Sequence, residues 1–167
     1  MSTKSPETSL TSEPVDLPGV DPADPPTELV PGRLWQGGVP VDFDWIREQG
    51  LDAVVDVSDA DAHPPAGAVS DLIYLKCPLV DGEDLPDPAV TIPLAEMVGG
   101  LISEGHKVFV HCTFGRNRSG LLVTLIVRQV LGMPGADALD YVQARRDRAV
   151  NNEDFAAWLR SLPAPST

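Results

Sequence analysis

Cysteine is scarce in this chain. Only Cys77 and Cys112 occur among 167 residues. A small disulfide scaffold is thereby excluded, and a reducing compartment is the simpler setting, in which a cysteine is more often catalytic or structural than cross-linked. Histidine is nearly as rare, with three residues. No His or Cys pair has the spacing of metal ligands, so no metal is expected. Positive charge is also short, with 12 Lys and Arg against 25 Asp and Glu and a net charge of −13. A chain this acidic repels nucleic acid and anionic membrane over most of its surface. Long apolar runs are missing as well, and residues 1–10 are polar with no signal-peptide core. The expected location is therefore cytoplasmic, with neither nucleic acid nor membrane as a partner.

The length suits one ordinary domain with its own core. Residues 1–28 are rich in Pro, Ser, Thr, Asp and Glu without apolar periodicity, and read as a disordered or extended tail. Residues 29–162 carry the domain, and 163–167 form a short C-terminal tail. Within the domain, Arg33–Gln36, Ala53–Val57, Leu72–Cys77 and Lys107–His111 read as strands. Helices are expected over Phe43–Gln49, after a loop that ends at Pro88 and on to about Glu104, over Ser119–Leu131 and Ala136–Arg146, and after an Asn152 N-cap. Strands alternating with helices give an α/β class: a central, mainly parallel sheet with helices on both faces. In such sheets ligands bind beyond the carboxyl ends of the strands.

One stretch stands out at such an end, Val108-Phe-Val-His-Cys-Thr-Phe-Gly-Arg-Asn-Arg-Ser-Gly120. It reads as a buried strand, a tight polar loop and the start of an apolar helix. Residues 1–110 have a net charge of −15 and residues 111–167 of +2, so this loop is a rare basic spot. The backbone N–H groups of Thr113, Phe114, Gly115, Arg116, Asn117 and Arg118 can converge on one anion, helped by the helix dipole. Gly115 lets the loop curl, and the Arg118 fork suits two phosphate oxygens at once. A Cys112 thiol at the base of such a cup sits in a field that favours its anion. The chemistry implied is thiolate attack on phosphorus, with a phosphocysteine intermediate and an acid on a nearby loop to protonate the leaving oxygen. Ser119 is placed to donate a hydrogen bond to the sulfur when the intermediate breaks down.

His111-Cys-Thr-Phe-Gly-Arg-Asn-Arg-Ser119 resembles the HC-x5-R-S/T signature of the cysteine-dependent protein tyrosine phosphatases, in the compact dual-specificity branch. The similarity runs from about Leu29 to Leu162, with Gly37-Gly38 after the first strand and an Asn-x-x-Phe near the end. It implies a phosphomonoester hydrolase working without a cofactor, with Cys112 as nucleophile, Arg118 as phosphate clamp, Ser119 assisting breakdown, and His111 holding the loop and tuning the thiol. By its place in the family pattern Asp81 is the first candidate acid, with Asp84 and then Asp87 behind it. Implied partners are a phosphorylated protein or a small phosphomonoester, with inorganic phosphate, sulfate or vanadate binding the loop. Phosphoinositide, nucleotide or RNA 5′-phosphate substrates remain open alternatives, as does a silent phosphate-binding relative. Arg116 is placed to meet a second anionic group. Cys77 is a backdoor cysteine by resemblance or a buried strand residue by composition. Arg145, Arg146 and Arg148 read as a basic cluster complementing a helix dipole.

Overall fold

The computed structural model describes residues 24–80 and 84–166. Five strands form one mixed sheet in the order β1-β2-β5-β3-β4. β1 (Thr27–Val30) and β2 (Leu34–Gly37) are an antiparallel pair at one edge. β5 (Val108–His111) runs parallel between β2 and β3 (Ala53–Asp56), and β4 (Ile73–Lys76) is parallel at the far edge. The expected parallel core is present, with β1 as an addition. That strand starts at Thr27, inside the stretch read as tail, where Pro25 and Pro26 conceal its short pattern.

The register explains where a site forms. Gly37 and Asp56 both pair with His111, so three parallel strands end level and the chain leaves them together. Helices then cover the two faces unequally. α1 (Asp44–Glu48) is short and packs a small cluster of Ile46, Leu51, Val54 and Phe109 against one face. The other face carries α2 (Pro88–Ser103), α3 (Arg118–Leu131), α4 (Gly135–Arg145) and α5 (Glu153–Arg160). α3 is the central helix, with Leu121 to Val127 all buried, which is why its sequence is apolar on nearly every side. It stops at Gly132, in the left-handed region at φ 66°. No single helix among the described residues is long and apolar enough to cross a membrane.

Candidate active site

β5 is buried along its whole length, so the next residue, Cys112, emerges at the carboxyl edge of the sheet while still only 2% exposed. α3 begins at Arg118. The chain between them is the loop expected from the sequence, and its groups converge on the sulfur. The Gly115 N–H donates to Cys112 Sγ at 3.2 Å. Ser119 Oγ lies 3.3 Å from the same sulfur. That hydroxyl accepts from Gln36 Nε2 at 3.1 Å, which leaves its own hydrogen for the sulfur. Gly115 has φ 73°, and a Cβ there would sit 2.5 Å from the Gly37 carbonyl carbon and 2.6 Å from the Gly38 nitrogen. The Gly37-Gly38 turn thus packs directly on the loop, and only glycine fits at position 115.

Arg118 is 3% exposed. Its Nη1 donates to Asp59 Oδ1 at 2.8 Å and to the Leu79 carbonyl at 3.4 Å, and its Nη2 donates to Thr113 Oγ1 at 3.0 Å. Three separate loops therefore orient the guanidinium plane. Over the loop lies a cavity of about 130 Å³ lined by Cys112, Phe114, Arg116, Asn117, Arg118 and Asn151. Phe114 stands at the rim, 57% exposed. Arg116 is half-buried in the same lining, and its carbonyl accepts from the Val150 N–H at 3.0 Å. Val150 is buried and β-branched yet has φ 56°, a strained conformation held in place by that bond. The Asn117 side chain is turned to structural use, its Oδ1 accepting from the Asn152 N–H at 2.9 Å. Asn152 Oδ1 in turn accepts from Asp154 and Phe155, so this one residue caps α5 and braces the loop.

His111 lies behind Cys112. Its Nδ1 is 3.1 Å from the Cys112 carbonyl, which can only accept, so the proton is on Nδ1. Burial holds the imidazole below its usual range against the opposing pull of Asp56, and it is neutral near pH 7. Its ring stacks on Phe109 with centroids 5.5 Å apart. Burial works against ionisation of Asp56. Proximity to His111 and hydrogen bonds from Ser58 and Tyr74 outweigh it, and the carboxyl stays below the usual range.

Of the three acid candidates, Asp81 lies outside the described residues. Asp84 is exposed. Asp87 is committed elsewhere: it is the N-cap of α2 and accepts from the Ala89 N–H at 2.9 Å. Cys77 and Cys112 are both free thiols. Each lies one residue past a partner of Asp56, so β3 runs between them. Two strand spacings put their Cα atoms roughly 9–10 Å apart, beyond the ~7 Å reach of a disulfide. Among the described residues no group of three or more His, Cys, Asp or Glu is arranged to hold a metal ion.

The reading of Arg146 as a helix-dipole charge is corrected. Arg146 is 2% exposed and lies under the loop. Its Nε donates to the Gly115 carbonyl at 2.8 Å, Nη1 to Thr27 Oγ1 at 2.9 Å and to the Pro25 carbonyl at 3.1 Å, and Nη2 to Asp24 at 3.1 Å. Burial pushes its pKa down, and the Asp24 carboxylate opposes that shift. Arg145 does stay on the surface, its guanidinium 3.4 Å from the Tyr141 ring centroid. Gln36, Asp56, Asp59 and Arg146 were all missed from sequence. A buried Gln inside β2 and a Ser-Asp pair just past β3 were the signals available.

Residues 39–163 match the family model described as dual specificity phosphatase, catalytic domain. Dual specificity protein phosphatase 12 of Homo sapiens is 29% identical over 139 residues, covering 82% of this chain and 41% of that protein. Dual specificity protein phosphatase 1 of Arabidopsis thaliana is 30% identical over 101 residues, covering 60% of this chain and 48% of that protein. The chain thus spans less than half the length of these curated relatives. Among solved structures, human DUSP28 has a TM-score of 0.70 at 24% identity, covering 84% of this chain and 93% of that one. The active form of Tk-PTP also has a TM-score of 0.70, at 21% identity, covering 81% and 95%. These structures share the fold. The family match spans three-quarters of the sequence and encloses the whole Cys112–Arg118 loop, and the chain belongs to the dual specificity phosphatase catalytic-domain family.

Proposed function

We propose that the chain hydrolyses phosphomonoesters through a phosphocysteine on Cys112. One observation carries the reading. A buried cysteine sulfur accepts a backbone N–H at 3.2 Å and has a serine hydroxyl 3.3 Å away, under a cavity walled by a braced arginine. In this reading Arg118 and the loop amides hold the phosphoryl oxygens. The thiolate attacks phosphorus, the S–P bond forms as the P–O bond breaks, and the leaving oxygen takes a proton from the acid. Water then attacks the phosphocysteine, its proton passes to the same carboxylate, and the sulfur leaves as thiolate with Ser119 donating to it.

Asp81 is the acid we favour. Leu79, two residues before it, touches Arg118, and two residues of extended chain reach up to ~7 Å. Asp59 is assigned the role of orienting Arg118. Phosphorylated protein side chains are the proposed substrate, in a reducing, cytoplasmic setting where the nucleophile stays a thiol. A structural relative from mouse was solved with zinc tungstate, and a phosphate-like oxyanion is expected to bind the loop here as well.

Hydrolysis of an aryl phosphate by the intact chain, with and without vanadate, tests the reading. Vanadate-sensitive turnover that disappears in Cys112→Ser is expected. Turnover surviving in Cys112→Ser overturns it. Absent turnover with vanadate still bound marks a phosphate-binding relative instead.

A further inference from the structure

A second and larger cavity, of about 230 Å³, opens on the other face of the sheet. Successive strand residues point to opposite faces, so His111 and Cys112 divide the two sites between them. Cys112 packs in the larger core, whereas the His111 ring stacks on Phe109 of the smaller one and lines this cavity. The walls are apolar, with Val41, Phe43 and Ala62 among them. Pro40, Pro64 and Pro65 stiffen the two loops that form these walls, so the cavity is largely preformed. Val41 is 63% exposed there, apolar surface that an occupant would cover with gain.

The polar lining is Asp56, Ser58, His63 and His111; His63 is exposed to solvent, and the buried groups settle what kind of occupant fits. Asp56 already accepts from Ser58 through its backbone N–H and hydroxyl, and from Tyr74 and Lys76. Lys76 Nζ lies 3.2 Å from the carboxylate and offsets its charge, so nothing here calls for a cation. His111 is different. Its Nδ1–H is engaged with the Cys112 carbonyl, which leaves Nε2 as a lone-pair acceptor. Asp56 Oδ2 is 3.9 Å from Nε2, beyond hydrogen-bond distance and itself an acceptor. A donor brought in by a ligand supplies what the protein does not.

We propose that this cavity binds a small, neutral, apolar molecule carrying one N–H or O–H donor, of the indole or phenol kind, with that donor on His111 Nε2. The other nitrogen of the same ring donates to the Cys112 carbonyl, so occupancy is felt at the base of the signature loop. Binding itself requires no catalysis and does not rest on the phosphatase reading.

Indole titrated into the full chain, followed by ligand-detected NMR with the signature loop saturated by vanadate, tests the proposal. Vanadate binding is measured separately, so that its failure counts against the phosphatase reading alone. Saturable one-site binding that vanadate does not displace is expected. 1-Methylindole, which has the shape without the donor, binds roughly twofold to tenfold more weakly, the net worth of one hydrogen bond. Ala62→Trp, which fills the cavity, weakens indole at least tenfold, and Val41→Glu at the rim does so to a lesser degree. Unchanged thermal transitions show that both variants fold. N-acetyltryptophanamide separates the sources: binding equal to that of indole assigns a peptide side chain, and exclusion assigns a free small molecule. Failure of indole to saturate, displacement by vanadate, or equal binding by 1-methylindole and by both variants overturns the proposal.

Discussion

Replacing Arg146 by Met is expected to damage both the fold and the chemistry, although the residue lies outside the signature. Methionine keeps the apolar stem and removes the fork. The fork is 2% exposed and makes four hydrogen bonds, to Gly115, Thr27, Pro25 and Asp24. Without it Asp24, whose side chain is 29% exposed, loses its cation, the Pro25 carbonyl and the Thr27 hydroxyl lose this donor, and the Gly115 carbonyl keeps Gln36 Nε2 alone. Breaking one side of a buried ion pair costs about 3–5 kcal/mol, and the partial exposure of Asp24 puts the expectation near the lower end, about 3 kcal/mol. The chemical effect follows from Gly115. Its carbonyl is held by Arg146 and by Gln36 Nε2 at 3.2 Å, and its N–H donates to the Cys112 sulfur. Losing one well-aimed donor to a charged atom costs about 1.5–3 kcal/mol, or roughly tenfold to a hundredfold in turnover. Arg146→Lys restores charge without the fork and falls between the two. Denaturant unfolding reads the first effect, and turnover of an aryl phosphate by the folded fraction reads the second. Wild-type unfolding and turnover within about twofold of wild type in Arg146→Met would refute the role assigned to this residue.

Asp59→Asn leaves Arg118 less well oriented. Because the carboxylate is 65% exposed, the effect is modest, with vanadate inhibition weakened by up to about fivefold, as befits an ion pair worth up to ~1 kcal/mol. Asp81→Asn slows hydrolysis of alkyl phosphates far more than of aryl phosphates with good leaving groups, and equal slowing of both would remove Asp81 from the acid role. His111 is held neutral by burial, so its folded pKa lies below the ordinary value of about 6.5. The unfolded chain then binds the extra proton first, and stability is lost as pH falls through and below about 6.5. Unfolding midpoints measured between about pH 7.5 and about pH 5 show this decline, and His111→Gln flattens it.

How much was legible from sequence depends on how local each signal is. The strand, loop and helix around Cys112 are consecutive in the chain, so apolar pattern, Gly115 and Arg118 were enough to place them. Helix ends with local chemistry were equally readable: the stop after Leu131, where Gly132 takes the left-handed region, and Asn152 as an N-cap. What escaped is contributed from a distance. Gln36 reaches Ser119 across 83 residues and Arg146 reaches Asp24 across 122, and no periodicity or spacing reports such pairs. Arg146 was misread because an arginine near a helix end is ordinarily solvated, and only tertiary packing brings this one under the loop. β1 was missed because it has four residues and follows two prolines. Asp87 shows the reverse case, a loop acid with a local duty: the same aspartate that looks like a candidate donor is the cap that starts α2.

The most direct test of the chemistry uses Ser119→Ala, which removes the hydroxyl 3.3 Å from the sulfur and so slows departure of the thiolate from the intermediate. The variant is mixed with an aryl phosphate, quenched in acid within the first turnover and examined by peptide mass spectrometry. A burst of the aryl leaving group is predicted, together with one phosphoryl group on the peptide containing Cys112 and none in Cys112→Ser. A phosphoryl group on any other residue, or turnover that survives the loss of the Cys112 thiol, would contradict a phosphocysteine mechanism.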